Sequence, residues 1–207
     1  MPEAFAAIYK NANESDIDNF VKKLARLPLT HEPGEGWIYG PGLIIAGRLV
    51  EVISGMPFQD FVQKRILDPL EMKDTHFFLE PKDVPRYTSY YQPDGKGKLS
   101  LLDPGSEKST RISSPKTFYS GSGGLNATAI DYFKFCQMVL QDGMYNGVRI
   151  AKPSTIALMK TDQLPLNLDG YTKPKDDLKN HGWTFGYMIK RRDVGNDPVP
   201  AGTISWG

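Results

Sequence analysis

Apolar residues recur at helical spacing in four stretches of the chain. Ile17, Phe20, Val21, Leu24 and Leu27 predict a helix from about Ser15 to Arg26. Ser15 and Asp18 have capping-box spacing at its start, and Pro28 closes it. A second helix is expected over Gly42–Ser54, with Leu43, Ala46, Gly47, Val50 and Ile53 on one face and Ile44 and Leu49 broadening it. Gly55 suits the left-handed position past a helix end. A helix this apolar is expected to be buried on more than one side. A third starts at Pro57, carries Phe58, Phe61, Val62, Ile66 and Leu67, and stops at Asp68-Pro69. A fourth spans Thr128–Gln141, with Thr128 and Asp131 at capping-box spacing. Phe133, Cys136, Val139 and Leu140 are expected to face one way, with Gly143 at its end. A shorter helix follows Pro153 through Ile156, Leu158 and Met159.

Residues 81–124 break this periodicity. They hold Pro81, Pro85, Pro93, Pro104 and Pro115, many Ser and Gly, and Tyr87, Tyr90 and Tyr91. So long an irregular stretch is uncommon unless functional or disordered, and its aromatics argue against full disorder. Asp169–Asn180 reads as an exposed loop, Trp183–Ile189 as a strand, and Gly202–Gly207 as the opening of another. No internal repeat is visible. The chain stops inside that last strand, where an unpaired edge would be aggregation-prone. The expectation is therefore a portion of a longer domain.

Composition narrows the function classes. The 207 residues are enough for one domain, or one domain with an inserted layer. Lys and Arg total 25 against 24 Asp and Glu, a net charge of +1, so there is no general electrostatic pull on nucleic acid or anionic membrane. The single cysteine, Cys136, excludes an internal disulfide and a Cys-cluster zinc site. His31, His76 and His181 are isolated from one another, and no metal is expected. No phosphate-cradling or dinucleotide-binding glycine motif is present, so no cofactor is expected. The N-terminus has neither the basic nor the apolar region of a signal peptide, and no 18-residue apolar stretch could span a membrane. The chain reads as soluble, with compartment and oligomeric state left open. Ser120-Gly121-Ser122-Gly123-Gly124 fails the nucleophile-elbow spacing, because position 120 is Ser, and reads as a tight turn into the fourth helix.

One short region carries candidate chemistry. In Pro33-Gly34-Glu35-Gly36-Trp37-Ile38-Tyr39-Gly40, Trp37 and Tyr39 alternate just before the second helix. This sets the Tyr39 hydroxyl at the helix entry. A phenol works as an acid–base group near neutrality only when cations lower its pKa from about 10. By itself, Tyr39 reads as a packed tyrosine with a hydrogen-bonded hydroxyl.

The wider pattern resembles the serine β-lactamase-like hydrolases: class C β-lactamases, D-alanyl-D-alanine carboxypeptidases, family VIII carboxylesterases and lovastatin-type acyltransferases. The matching residues are Pro33-Gly34, Trp37, Tyr39-Gly40, Ser54-Gly55, Ile66, Pro69-Leu70-Glu71-Met72, Asp74-Thr75 and Phe77. Downstream come Gly123-Gly124-Leu125, Thr128, Asp131-Tyr132-Phe133, Phe135, Asp142-Gly143, Gly147 and Ile150. Gly202-Thr203 and Trp206-Gly207 resemble the opening of the W-G-G element of the esterase-like branch. Two positions depart from the pattern. Glu71 stands where Gly is usual, and Pro41 follows Tyr39-Gly40 where many members have Asn. The second departure weakens a β-lactamase reading and favours the esterase-like or acyltransferase-like branches.

The resemblance implies an α/β (α+β) fold of β-lactamase/transpeptidase type. Residues 1–207 would hold mainly its helical layer, with part of the antiparallel sheet. It implies Tyr39 as general acid/base, with Trp206 and Gly207 lining the strand edge of the acyl site. Family chemistry also needs a nucleophilic Ser with a Lys one helical turn later, upstream of the tyrosine. No S-x-x-K precedes Tyr39. The one match, Ser113-Ser114-Pro115-Lys116, lies downstream, and Pro115 would break an interior helix. The oxyanion-hole donors fall outside the chain as well. The expected function is thus part of a serine hydrolase acting on a small ester, amide or β-lactam through an acyl-serine intermediate. The alternatives are a non-catalytic binding protein of the same fold, and an unrelated helical interaction protein. The isolated chain is expected to be marginally stable.

Overall fold

The computed structural model describes residues 7–8, 16–29, 31–113, 117–164 and 180–206, excluding the side chains of Thr110 and Ser113. The Ser15 end of the predicted first helix, Ser114–Lys116 and most of the 169–180 loop lie outside these residues. The chain forms two compact units, one of residues 1–27 and 42–132, the other of residues 28–41 and 133–207. Together they hold a helical layer and small antiparallel sheets, the α/β class that the sequence predicts.

In the first unit, α1 (Ile17–Leu24) is capped by Asp16, whose side chain accepts the Asn19 N–H at 2.8 Å. Ser15, the other half of the predicted capping box, lies outside the described residues. The Asp18 carboxylate accepts from Lys22 and pairs with Arg48 at 2.9 Å. The next helix, α2 (Gly42–Ser54), matches its predicted bounds. Gly47 lets its neighbours come close, since a Cβ there would lie 3.0 Å from Ile17 and 3.6 Å from Phe58. Ile17, Phe20 and Ile44 form the buried cluster, with Val21, Leu24 and Phe118 packed around it. Only this narrow face of α2 is covered. Ile45, Leu49, Val52 and Ile53 are exposed, which corrects the expectation of burial on several sides. Apolar composition measures what a helix can bury, while the covered face depends on which elements reach it.

Helix α3 (Phe58–Val62) starts after Pro57 and widens into a π-helical turn, Gln63–Leu67, before the Asp68-Pro69 stop. The segment 81–124 is more ordered than its composition predicts. It contains a 3₁₀ turn (Pro81–Arg86), an antiparallel hairpin of β1 (Tyr90–Pro93) and β2 (Leu99–Asp103), and the short α4 (Thr110–Ser113). Asp103 organises this stretch, accepting from Ser109, Tyr87 and the Gly105 N–H. Gly121 lies against α2, where a Cβ would come 2.1 Å from the Leu43 carbonyl oxygen. The predicted turn at 120–124 therefore has a packing reason for its glycine.

Helix α5 (Ala129–Leu140) is capped by the Thr128 hydroxyl, which accepts the Asp131 N–H at 3.2 Å. Of the predicted stripe, Val139 is buried and Cys136 half-buried, whereas Phe133 and Leu140 are exposed and Met138 is buried in their place. In the second unit, β3 (Met144–Tyr145) and β4 (Val148–Arg149) pair across Asn146-Gly147. Both turn residues have positive φ, 47° and 79°, as an Asn-Gly hairpin turn requires. Helix α6 (Pro153–Met159) buries Ile156 fully. The predicted strand at 183–189 is instead a hairpin. Strands β5 (His181–Trp183) and β6 (Met188–Lys190) flank a turn closed by Thr184, whose hydroxyl accepts the Tyr187 N–H. The last strand, β7 (Ile204–Ser205), joins β6, giving the order β5-β6-β7.

Candidate active site

The candidate residues meet within the second unit. Segment 36–40 has no regular secondary structure, and the Trp37 and Tyr39 rings meet edge-on with centroids 6.4 Å apart. Trp183 ends β5, and Trp206 follows β7, two strands across the same sheet. The Trp37 ring stacks on Trp183 with centroids 4.9 Å apart and planes 26° apart. The Tyr39 ring stacks on Trp206 at 5.8 Å and 22°, and lies 5.8 Å from Trp183. Trp183 meets Trp206 edge-on at 5.3 Å. Each such pair contributes about 0.5–1.5 kcal/mol beyond area burial. The four rings therefore hold one another in place while the wall stays open, with Tyr39 56% and Trp206 41% exposed.

The structure thus brings together Tyr39 and Trp206, which are 167 positions apart in the sequence. Gly207 lies outside the described residues. Sequence reasoning missed Trp183, which contacts both site residues. A signal for it exists, because all three tryptophans of the chain fall in this cluster. Three other aromatics, all of segment 81–124, have partners in the first unit. Phe118 packs on Phe20, Tyr119 packs edge-on against Phe77 and Phe78, and the Tyr87 hydroxyl donates to Asp103. Tyr90 and Tyr91 are exposed on the β1–β2 hairpin.

Beneath the aromatic wall lies a layer of ions. The Asp162 carboxylate accepts from Arg191 Nε at 2.5 Å and from the N–H groups of Leu164 and Trp183 at 3.0 and 3.2 Å. Burial is the largest single influence on its pKa and acts upward. The Arg191 hydrogen bond, the Leu164 N–H and the Arg191 charge outweigh it and hold the carboxyl below its ordinary value. Lys190 is 4% exposed, and its Nζ donates to Asp197 at 2.8 Å and to the Val199 carbonyl. These bonds tie down the long connection that leads into β7 and Trp206. Arrayed this way, the site offers a phenol beside a rigid apolar wall, suited to a flat or apolar organic group.

A family profile described as Beta-lactamase matches residues 2–207. Protein Rv1367c of Mycobacterium tuberculosis is 34% identical over 147 residues, covering 71% of this chain and 36% of that protein. A lovastatin esterase of Penicillium rubens is 32% identical over 145 residues, covering 69% and 35%. A simvastatin synthase variant from Aspergillus terreus superimposes with a TM-score of 0.70 at 21% identity, over 98% of this chain and 54% of that one. The chain spans about a third of the length of these two relatives. No helix among the described residues is long and apolar enough to cross a membrane. With a family match over nearly its whole length, this chain belongs to the beta-lactamase family of serine-hydrolase fold.

Proposed function

We propose that this chain is part of a serine acyl hydrolase or acyltransferase of the esterase-like branch, acting on a small ester, amide or lactam. Residues 1–207 supply the helical layer and the tyrosine loop. The nucleophilic Ser and its Lys are supplied by sequence beyond these residues. Tyr39 acts as general acid/base, and that Lys helps it take the Ser proton as the oxygen attacks the substrate carbonyl. Tyr39 then returns the proton to the leaving group, and water reverses the sequence to release the acyl group. Trp206 and Gly207 line the strand edge of the acyl site.

The observation that carries this reading is the meeting of Tyr39 with Trp206 at one exposed aromatic wall. The likeness to a lovastatin esterase supports the esterase-like branch. The test is a serine-directed fluorophosphonate probe on the natural full-length protein, read by intact mass and by mapping the adduct. The expected result is a mass above 23.1 kDa and one adduct at a serine outside these 207 residues. Tyr39→Phe in that protein is expected to lower turnover of a p-nitrophenyl ester about 10²–10⁴-fold with the fold retained. A native mass of 23.1 kDa with no labelled serine would replace catalysis by the binding-protein reading.

A further inference from the structure

Among the described residues, strand β5 is an edge of its sheet, and it is only three residues long. Such an edge exposes backbone groups that need partners. At Trp183 both are met from the segment after α6. The Trp183 N–H donates to Asp162 Oδ1 at 3.2 Å, and its carbonyl accepts the Gln163 N–H at 2.8 Å. The carboxylate lies flat on the preceding residue, since a Cβ on Gly182 would fall 2.2–2.4 Å from three atoms of the Asp162 carboxyl group. Any other side chain at 182 would push the carboxylate off the strand.

Arg191, one residue past β6, completes the arrangement. Its Nε donates to Asp162 Oδ2 at 2.5 Å, its Nη2 to the Leu164 carbonyl at 3.0 Å, and its backbone N–H to the Asn180 carbonyl at 2.7 Å. The planar guanidinium therefore bridges the carboxylate and the backbone two residues on, a geometry that lysine cannot reproduce. Arg191 is 11% exposed and Asp162 26%, so water competes little for the pair. Removing Arg191 leaves the Asp162 carboxylate partly buried without its cation, a disruption larger than that of a surface ion pair.

We propose that Asp162 and Arg191 form the positioning device of the aromatic wall. They fix the backbone of Trp183 so that its ring stacks on Trp37 and holds the face that Tyr39 and Trp206 share. Neither residue touches the reacting atoms. They act through Trp183, and their importance for turnover rests on the reading of Tyr39 given above. Asp162→Asn is the discriminating change. It keeps the size and the Oδ1 acceptor for both backbone N–H groups, but sets an amide donor against the Arg191 Nε donor.

The test uses the exciton couplet of stacked indoles in circular dichroism. All three tryptophans lie in the wall, so this signal has no other source in the chain. Asp162→Asn and Arg191→Gln are each expected to lose most of the couplet while the helical signal is kept. Arg191→Lys should keep part of it. Lys160→Ala, which breaks an exposed ion pair with Asp142 in the same unit, should leave it intact. A couplet unchanged in Asp162→Asn, or absent from the unsubstituted chain, overturns the proposal. Loss of the helical signal in both Asp162→Asn and Arg191→Gln also overturns it, because the pair would then hold up the fold rather than the wall. In the full-length enzyme, Asp162→Asn should raise KM for the ester severalfold while fluorophosphonate labelling persists. A lost couplet together with a harmless Tyr39→Phe would uphold the positioning and remove the catalytic reading.

Discussion

Glu71 is the residue at which the chain departs from its family pattern and meets a backbone constraint. Its φ is 54°, in the left-handed region where a side chain is disfavoured by about 1–2 kcal/mol. Glycine has no such penalty, which explains its usual place in this turn. Glu71→Gly is therefore expected to stabilise the chain by about 1 kcal/mol in urea unfolding, the gain being reduced by glycine's greater freedom when unfolded. Asp131 shows the opposite situation. It is 3% exposed, accepts the Asp74 N–H at 2.7 Å, and accepts the buried Thr75 hydroxyl at 3.1 Å. Asp131→Ala strips acceptors from both donors and should cost about 2 kcal/mol or more, with Asp131→Asn costing less because one acceptor oxygen remains. The family pattern contains Asp74-Thr75 and Asp131-Tyr132 as separate motifs. The fold shows that they are two ends of one hydrogen-bonded contact.

Among the elements, the β3–β4 hairpin and its flanks are the most tightly determined. Gly143 has a φ of 90°, and a Cβ there would come 2.2 Å from the Ala151 carbonyl oxygen and 3.2 Å from the Ile156 side chain. The clash and the backbone conformation act together, so Gly143→Ala is expected to destabilise the second unit by about 1–3 kcal/mol or more, measured by denaturant midpoint. Gly143 as a helix end and the Pro153 helix start were legible beforehand, because they depend on backbone conformations that single residue types favour. The Asn146-Gly147 hairpin was not among the sequence expectations. The bounds of α2 were legible for the same reason as the Pro153 start. Its burial was not, nor was the buried face of α5. Which side of an amphipathic or wholly apolar helix is covered depends on partners distant in the chain, and local spacing carries no record of them. The hairpin within 81–124 was hidden because its strands are short and exposed, and its order comes from the Asp103 contacts with Tyr87 and Ser109.

For the whole molecule, acid is the informative perturbation. Asp162 and Asp197 both have pKa values held below the ordinary carboxylate value. In Asp162 burial opposes the shift and the Arg191 and backbone hydrogen bonds prevail. In Asp197 the Lys190 hydrogen bond leads, followed by the Val199 N–H. A carboxyl with a depressed folded pKa contributes stability that is complete above its unfolded value, about 3.9, and is lost as pH falls through the folded value. Tryptophan emission of the second unit should therefore be constant from neutrality to about pH 5 and change below about pH 4. A change centred near pH 6 would contradict this. Heating supplies a second global test. The sheets have two or three short strands, and α2 presents Ile45, Leu49, Val52 and Ile53 to solvent. Small sheets and exposed apolar faces give little cooperative stability. Calorimetry of the 207-residue chain is expected to show a broad, weak transition, and a single sharp one would contradict it. The sequence by itself determined the helix starts and stops, the glycine turns and the placement of Tyr39 before α2, because each rests on backbone conformations that nearby residues impose. Only the tertiary structure decided that Tyr39 meets Trp183 and Trp206, and that Asp162 and Arg191 lie beneath them. The tyrosine contacts join segments more than a hundred residues apart, and the ion pair joins residues 29 apart, so local spacing carries no record of either.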